Sequence, residues 1–173
     1  MNRRDLLKLG ATAAAVPVGI PAQPQAKPAV PWKPSVLDSH QDETVIALID
    51  LIIPSTDTPG AKAALVNRHM DHLLRDEPEG EQERFVQGLG WIDGYAIRKY
   101  GKTFVRCAPA EQIAILEILD SNSQPGVAAG HRFFLHFKAR TARLYYATQI
   151  GFAEMNKGGR VPASFGCKHP EHA

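Results

Sequence analysis

From Asp38 to about Phe152 the apolar residues of this chain recur at helical spacing, and no stretch keeps strand-like alternation for long. A chain patterned this way buries stripes along helices, not pleated faces. It is therefore expected to be all-α, a small irregular bundle of about five helices. The first is predicted over 38–53, in DSHQDETVIALIDLII. Asp38 or Ser39 caps it, Val45, Ile46, Ile49 and Ile52 or Ile53 form its buried face, and Pro54 ends it. A second is predicted to start at Thr58-Pro59, a hydroxyl cap followed by a proline where the missing N–H costs nothing. Asp57 would complement its N-terminus, and it would run to Asp76, burying Leu65, Val66, His69 or Met70, Leu73 and Leu74.

The third is predicted over 79–100, with Phe85, Leu89, Ile92 and Ala96 inward and Gly88, Gly90 and Gly94 permitting close helix packing. The fourth begins in CAPAEQIAILEILDS, with Pro109 in its first turn and Glu111 complementing the dipole. The fifth and longest is predicted over 127–152, with Phe133, Phe134, Phe137, Leu144, Tyr145 and Ile150 as a broad aromatic face. The last twenty residues have Gly, Pro and little periodicity, and read as an irregular tail.

Ahead of the helices the chain has a different character. Arg3 and Arg4, then Leu6, Leu7 and Lys8, look like a twin-arginine export signal, and the apolar run to Ile20 is too short and too weak for a membrane span. The following IPAQPQAKPAVPWKP carries a proline every third or fourth residue and reads as a spacer. The expected organisation is a signal region over 1–27, a proline-rich linker over 28–37 and one helical domain with its tail over 38–173. Export by this route places the folded protein in the periplasm. From Lys27 onward the charges balance, since Arg3, Arg4 and Lys8 against Asp5 account for the whole formal excess of two. With no basic stripe interleaved with aromatics, nucleic-acid binding has no support.

A chain that leaves the cytoplasm folded commonly does so because it carries a cofactor, yet no cofactor motif is found. There is no G-x-G-x-x-G, no C-x-x-C-H, no G-x-S-x-G, and two cysteines do not ligate an iron–sulfur cluster alone. His69 and His72, three apart on the second helix, could face one metal ion. Cys167, His169 and His172 place a thiol and two imidazoles together in the tail. In an oxidising compartment Cys107 and Cys167 read first as a disulfide, stapling the tail to the start of the fourth helix. Closing that loop of about 60 residues is worth about 4 kcal/mol in the chain-entropy model. The alternative has Cys167 bridging to another chain.

The loop Pro54-Ser55-Thr56-Asp57-Thr58-Pro59-Gly60-Ala61 with Lys62-Ala63-Ala64 resembles the gluconate 2-dehydrogenase subunit 3 family. So does the later pattern of Phe137-Lys138, Thr141, Tyr145-Tyr146, Ile150-Gly151, Val161-Pro162, Phe165 and Cys167. Two departures stand out: Arg143-Leu144 precede the tyrosines where the family commonly has a glycine, and Ala147-Thr148-Gln149 replaces its usual small-polar-acidic triplet. The resemblance implies a small helical subunit without catalytic residues, cofactor or metal of its own. Its large partner would be an FAD-dependent dehydrogenase of the glucose–methanol–choline type acting on a sugar or sugar acid. A multihaem cytochrome c subunit usually takes the electrons onward and ties the complex to the membrane. The signal would then engage the twin-arginine translocase for both chains, with the small one as escort. Candidate contacts with the flavoprotein are Thr56, Asp57, Thr58, Pro59 and Gly60 in the loop, Phe133, Tyr145 and Tyr146 on the fifth helix, and Phe165 or Trp32 outside it. The competing expectation is a free-standing periplasmic binder of a metal or small ligand through His69 and His72 or the Cys167-His169-His172 tail.

Overall fold

The structure, a computed structural model, describes residues 32–157, and the compact unit that holds the helices begins at Lys33. The described residues form six α-helices: α1 Ser39–Ile52, α2 Val66–Asp76, α3 Glu79–Tyr100, α4 Pro109–Ser121, α5 Ala128–Ala147 and α6 Gln149–Met155. A 3₁₀ turn, Phe104–Arg106, joins α3 to α4, and the described residues contain no strand. The fold is all-α, as the apolar spacing predicts. None of the described helices is long and apolar enough to cross a membrane.

Local chemistry sets where the helices start. Asp38 and Gln41 form a reciprocal cap on α1: Gln41 N–H donates to Asp38 Oδ1 at 2.8 Å, and Asp38 N–H to Gln41 Oε1 at 3.0 Å. Pro109 opens α4, where Glu111 accepts from the Ala108 amide at 2.7 Å and from Lys102 Nζ at 2.8 Å. Those two donors, Lys102 first, hold the Glu111 carboxyl below its ordinary range.

Two predicted boundaries are corrected. No helix begins at Thr58-Pro59, so Asp57 has no helix N-terminus there to complement; α2 starts only at Val66. Residues 61–65 instead form turns, closed by Leu65 in the left-handed region at φ +56°. That conformation costs a non-glycine residue about 1 kcal/mol and interrupts helical hydrogen bonding upstream of α2. The long fifth helix also breaks. Thr148 is extended, its hydroxyl donates to Tyr145 O at 2.7 Å, and it accepts from Gly151 N–H at 3.0 Å, so it ends α5 and caps α6.

The core is a single cluster. Leu48 and Ile49 of α1, Val66, Met70 and Leu74 of α2 and Ile92 of α3 meet Ile115 and Leu119 of α4 and Phe137 of α5, with Phe104 wedged in from the turn. On α1 the buried face is Thr44, Val45, Leu48 and Ile49, while Ile46, Ile52 and Ile53 are half-buried; Leu65, just ahead of α2, and His69 on it lie at the surface. Helices α3 and α5 interlock through glycine. A Cβ on Gly88 would lie 2.0 Å from the Phe133 ring, and one on Gly130 would lie 2.1 Å from Trp91. Each helix thus offers a gap that receives an aromatic ring of the other. Arg140 adds a bidentate pair to Glu77 at 2.9 and 3.1 Å, its guanidinium 5.6 Å from the Phe85 ring centre.

Candidate functional site

Pro54 leaves α1, and the chain then folds back on that helix's end. Ala61 N–H donates to Ile53 O at 2.9 Å, Gly60 N–H donates to Ser55 Oγ at 2.8 Å, and Thr56 N–H donates to Thr58 O at 3.0 Å. Gly60 is buried at the fold-back. A Cβ there would sit 2.4 Å from Ile53 O and 2.6 Å from the backbone of Pro54 and Ser55, so only glycine fits without moving main chain. From α5, the Tyr145 hydroxyl donates to Pro59 O at 2.9 Å, locking the loop to the far end of the bundle. The Tyr145 ring is 2% exposed, and burial pushes its phenol up.

The turn into α6 supports that tyrosine. Gly151 lies so close that a Cβ would be 2.1 Å from Tyr145 O, the same carbonyl that accepts from Thr148. Loop 54–65, Tyr145, Thr148 and Gly151 therefore form one latch, built from two segments about ninety residues apart in sequence. On its outer side Asp57 is exposed and accepts from Thr56 Oγ1 at 2.9 Å. That hydrogen bond first, then backbone amides and the nearby Lys157 charge, lower its carboxyl pKa.

The residues anticipated as partner contacts fall into distinct settings. Thr56, Asp57 and Pro59 are exposed, Thr58 is half-buried and Gly60 is buried beneath them. Tyr146 is 45% exposed, with its ring edge-on to Tyr145 at 5.2 Å, whereas Tyr145 itself belongs to the core. Phe133 is half-buried between Phe85 and Phe137, at 5.6 and 5.8 Å. The predicted signal residues Arg3, Arg4, Leu6, Leu7 and Lys8, and Phe165 in the tail, lie outside the described residues.

The histidine pair is exposed on α2, with His72 Nδ1 3.4 Å from Arg75 Nη1. Among the described residues no group of three or more His, Cys, Asp or Glu could hold a metal ion. Cys107 is a buried thiol near Lys102 O at 3.9 Å, its pKa raised by burial; Cys167, His169 and His172 lie outside the described residues.

One anchor had no warning in the sequence. Asp71 on α2 is 1% exposed and accepts four hydrogen bonds from the chain just ahead of α1. These come from Ser35 N–H at 2.8 Å, Ser35 Oγ at 2.6 Å, Val36 N–H at 3.0 Å and Leu37 N–H at 3.2 Å. Burial alone would raise its pKa, but the four donors outweigh it and the carboxyl lies below its ordinary value. The end of the predicted linker is thus strapped to the bundle. Asp42 beside it behaves oppositely: burial and the Asp71 charge raise it despite a hydrogen bond from Asn67 Nδ2 at 2.9 Å. Asp93 is a second unannounced anchor, joining His40 Nε2 at 2.5 Å and the Phe104 amide at 2.8 Å.

Residues 39–159 match the family model described as gluconate 2-dehydrogenase subunit 3. The chain belongs to that family. The match takes in the whole latch, from the fold-back at Gly60 to Gly151, and stops before Cys167. The family is one of dehydrogenase-complex subunits, and membership implies assembly with other dehydrogenase subunits. No curated protein and no solved structure matches the chain.

Proposed function

We propose that this protein is the non-catalytic small subunit of a periplasmic FAD-dependent dehydrogenase of the glucose–methanol–choline type, acting on a sugar or sugar acid. It binds the folded, flavin-loaded large subunit in the cytoplasm, and its own twin-arginine signal takes the pair through the translocase. The FAD belongs to the partner, and a multihaem cytochrome c completes the electron path and membrane association. The observation that carries this reading is the family match over 39–159, joined to the paired arginines Arg3 and Arg4 ahead of it. The latch supports it, because a loop locked by Gly60 and Tyr145 presents Thr56, Asp57 and Pro59 in one fixed geometry before any partner arrives. Preorganisation of that kind lowers the entropic cost of association. The Cys107–Cys167 bond belongs to the same proposal, as a staple made after export.

The test is Arg3→Lys with Arg4→Lys in the full chain. Dehydrogenase activity is expected to remain in the cytoplasm while total activity and flavin content persist. Undiminished export of that activity would refute the escort role. Non-reducing electrophoresis of the exported protein separates an internal Cys107–Cys167 bond from a link through Cys167 to a partner chain.

A further inference from the structure

One face of the bundle carries an apolar groove with an acidic rim. A depression of about 800 Å³ lies between Ile46, Ala47 and Leu51 of α1, Pro54 at the start of the loop, and Val105 and Pro109 opposite. A second, of about 260 Å³, shares Leu51 and continues over Ile52, Ile113, Leu116 and Phe134. The two form one apolar track along α1 and α4, with Ile113 left 46% exposed. An exposed branched aliphatic side chain in such a track favours burial against another surface.

The charges around the track decide what can cover it. Glu43 and Asp50 line the first depression and Glu117 and Asp120 the second, against only Lys62 and Lys138. Lys62 reaches Asp50 at 3.7 Å and Lys138 pairs with Asp120. Four carboxylates against two ammonium groups leave a net charge of −2, carried by Glu43 and Glu117, which have no ion-pair partner among the described residues. A second copy docked face to face would bring these carboxylates against their own like. The groove asks for an apolar ridge flanked by cations.

We propose that the groove along α1 and α4 is the docking site for the flavoprotein subunit, which enters it with an apolar ridge bordered by lysine or arginine side chains. This rests on the subunit reading above. It places the contact beside the latch, since Pro54, Ser55 and Lys62 line both. Aliphatic burial supplies the affinity, and the two unpaired glutamates steer the approach and set the register.

The test uses the full tagged chain, purified with its flavoprotein and also alone. Amide exchange is expected to slow on complex formation over residues 46–54 and 109–117. The double variant Ile113→Asp, Glu117→Lys alters two exposed positions and keeps the wild-type melting curve. It is expected to bind the flavoprotein at least about tenfold more weakly. Wild-type affinity should fall with added salt. Phe152→Ser with Met155→Ser, exposed on α6, should bind as wild type. Full affinity in the groove variant, protection of the groove already in the free chain, or protection through a homodimer would each overturn the assignment while leaving the subunit reading intact. Failure of the wild-type chain to bring down any flavoprotein would overturn both.

Discussion

Two irregular segments are pinned to this bundle, and they are pinned by opposite means. The buried contacts that hold the loop 54–65 are neutral: main chain against main chain at Gly60, and one phenol on one carbonyl at Pro59. The strap Ser35–Leu37 is held by a single buried carboxylate, Asp71, that collects four donors. The first arrangement is intolerant of added volume and leans little on charge, since its charged groups, Asp57 and Lys62, are exposed. The second tolerates changes in shape and depends on charge. Under the export proposed above, a surface that meets its partner in two compartments is better built the first way. A segment that leads into the domain from the proposed signal needs only a tether.

Adding one carbon should break the loop outright. Gly60→Ala drives its Cβ into Ile53 O, so it should lose about 3 kcal/mol in urea unfolding or fail to accumulate. The strap should give way to a change of charge without a change of size. In Asp71→Asn one acceptor becomes a donor aimed at donors, with a loss of about 2 kcal/mol and faster amide exchange at Ser35, Val36 and Leu37.

Acid separates the two segments without mutation. Asp71 is lowered from 3.8 in the folded state, so its contribution is fully present above that pH and is lost as pH falls through the lower folded value. Strap amides should therefore exchange faster below about pH 3.8, ahead of the loop amides. Asp42 works against this trend, because its raised pKa means that protonation on acidification relieves a burial penalty. Equal acid sensitivity in strap and loop would erase the contrast.

Smaller effects sharpen it. Tyr145→Phe removes only the hydrogen bond to Pro59 O and should cost about 1 kcal/mol, equally at pH 5 and pH 7. Thr141→Val should be neutral or stabilising by up to about 1 kcal/mol, since the Thr141 hydroxyl is buried on α5 without a hydrogen-bond partner.

The same contrast explains what could be read from the sequence. The loop was legible as a motif, and helical spacing marked α1, α3 and α4 closely. The conformation of the loop was not legible, because Thr58-Pro59 has good cap chemistry whether or not a helix follows. What decides against a helix is the fold-back of Ala61 onto Ile53, a contact made only once α1 is in place. The break at Thr148 was hidden because apolar residues continue through Ile150 and Phe152 without a proline or paired glycines to mark it. Asp71 was the least legible, since one aspartate beside Met70 on an amphipathic helix looks like a solvated edge residue. Its role depends on donors 34 to 36 positions earlier in the chain, which no local pattern announces.

The central proposal is that this chain does its work attached to a flavin-bearing companion. Its most direct test is light scattering combined with visible absorption on the tagged protein recovered from the exported fraction. The account expects a complex several times the mass of this chain, carrying one flavin for each copy. A colourless species of this chain's mass alone would contradict it.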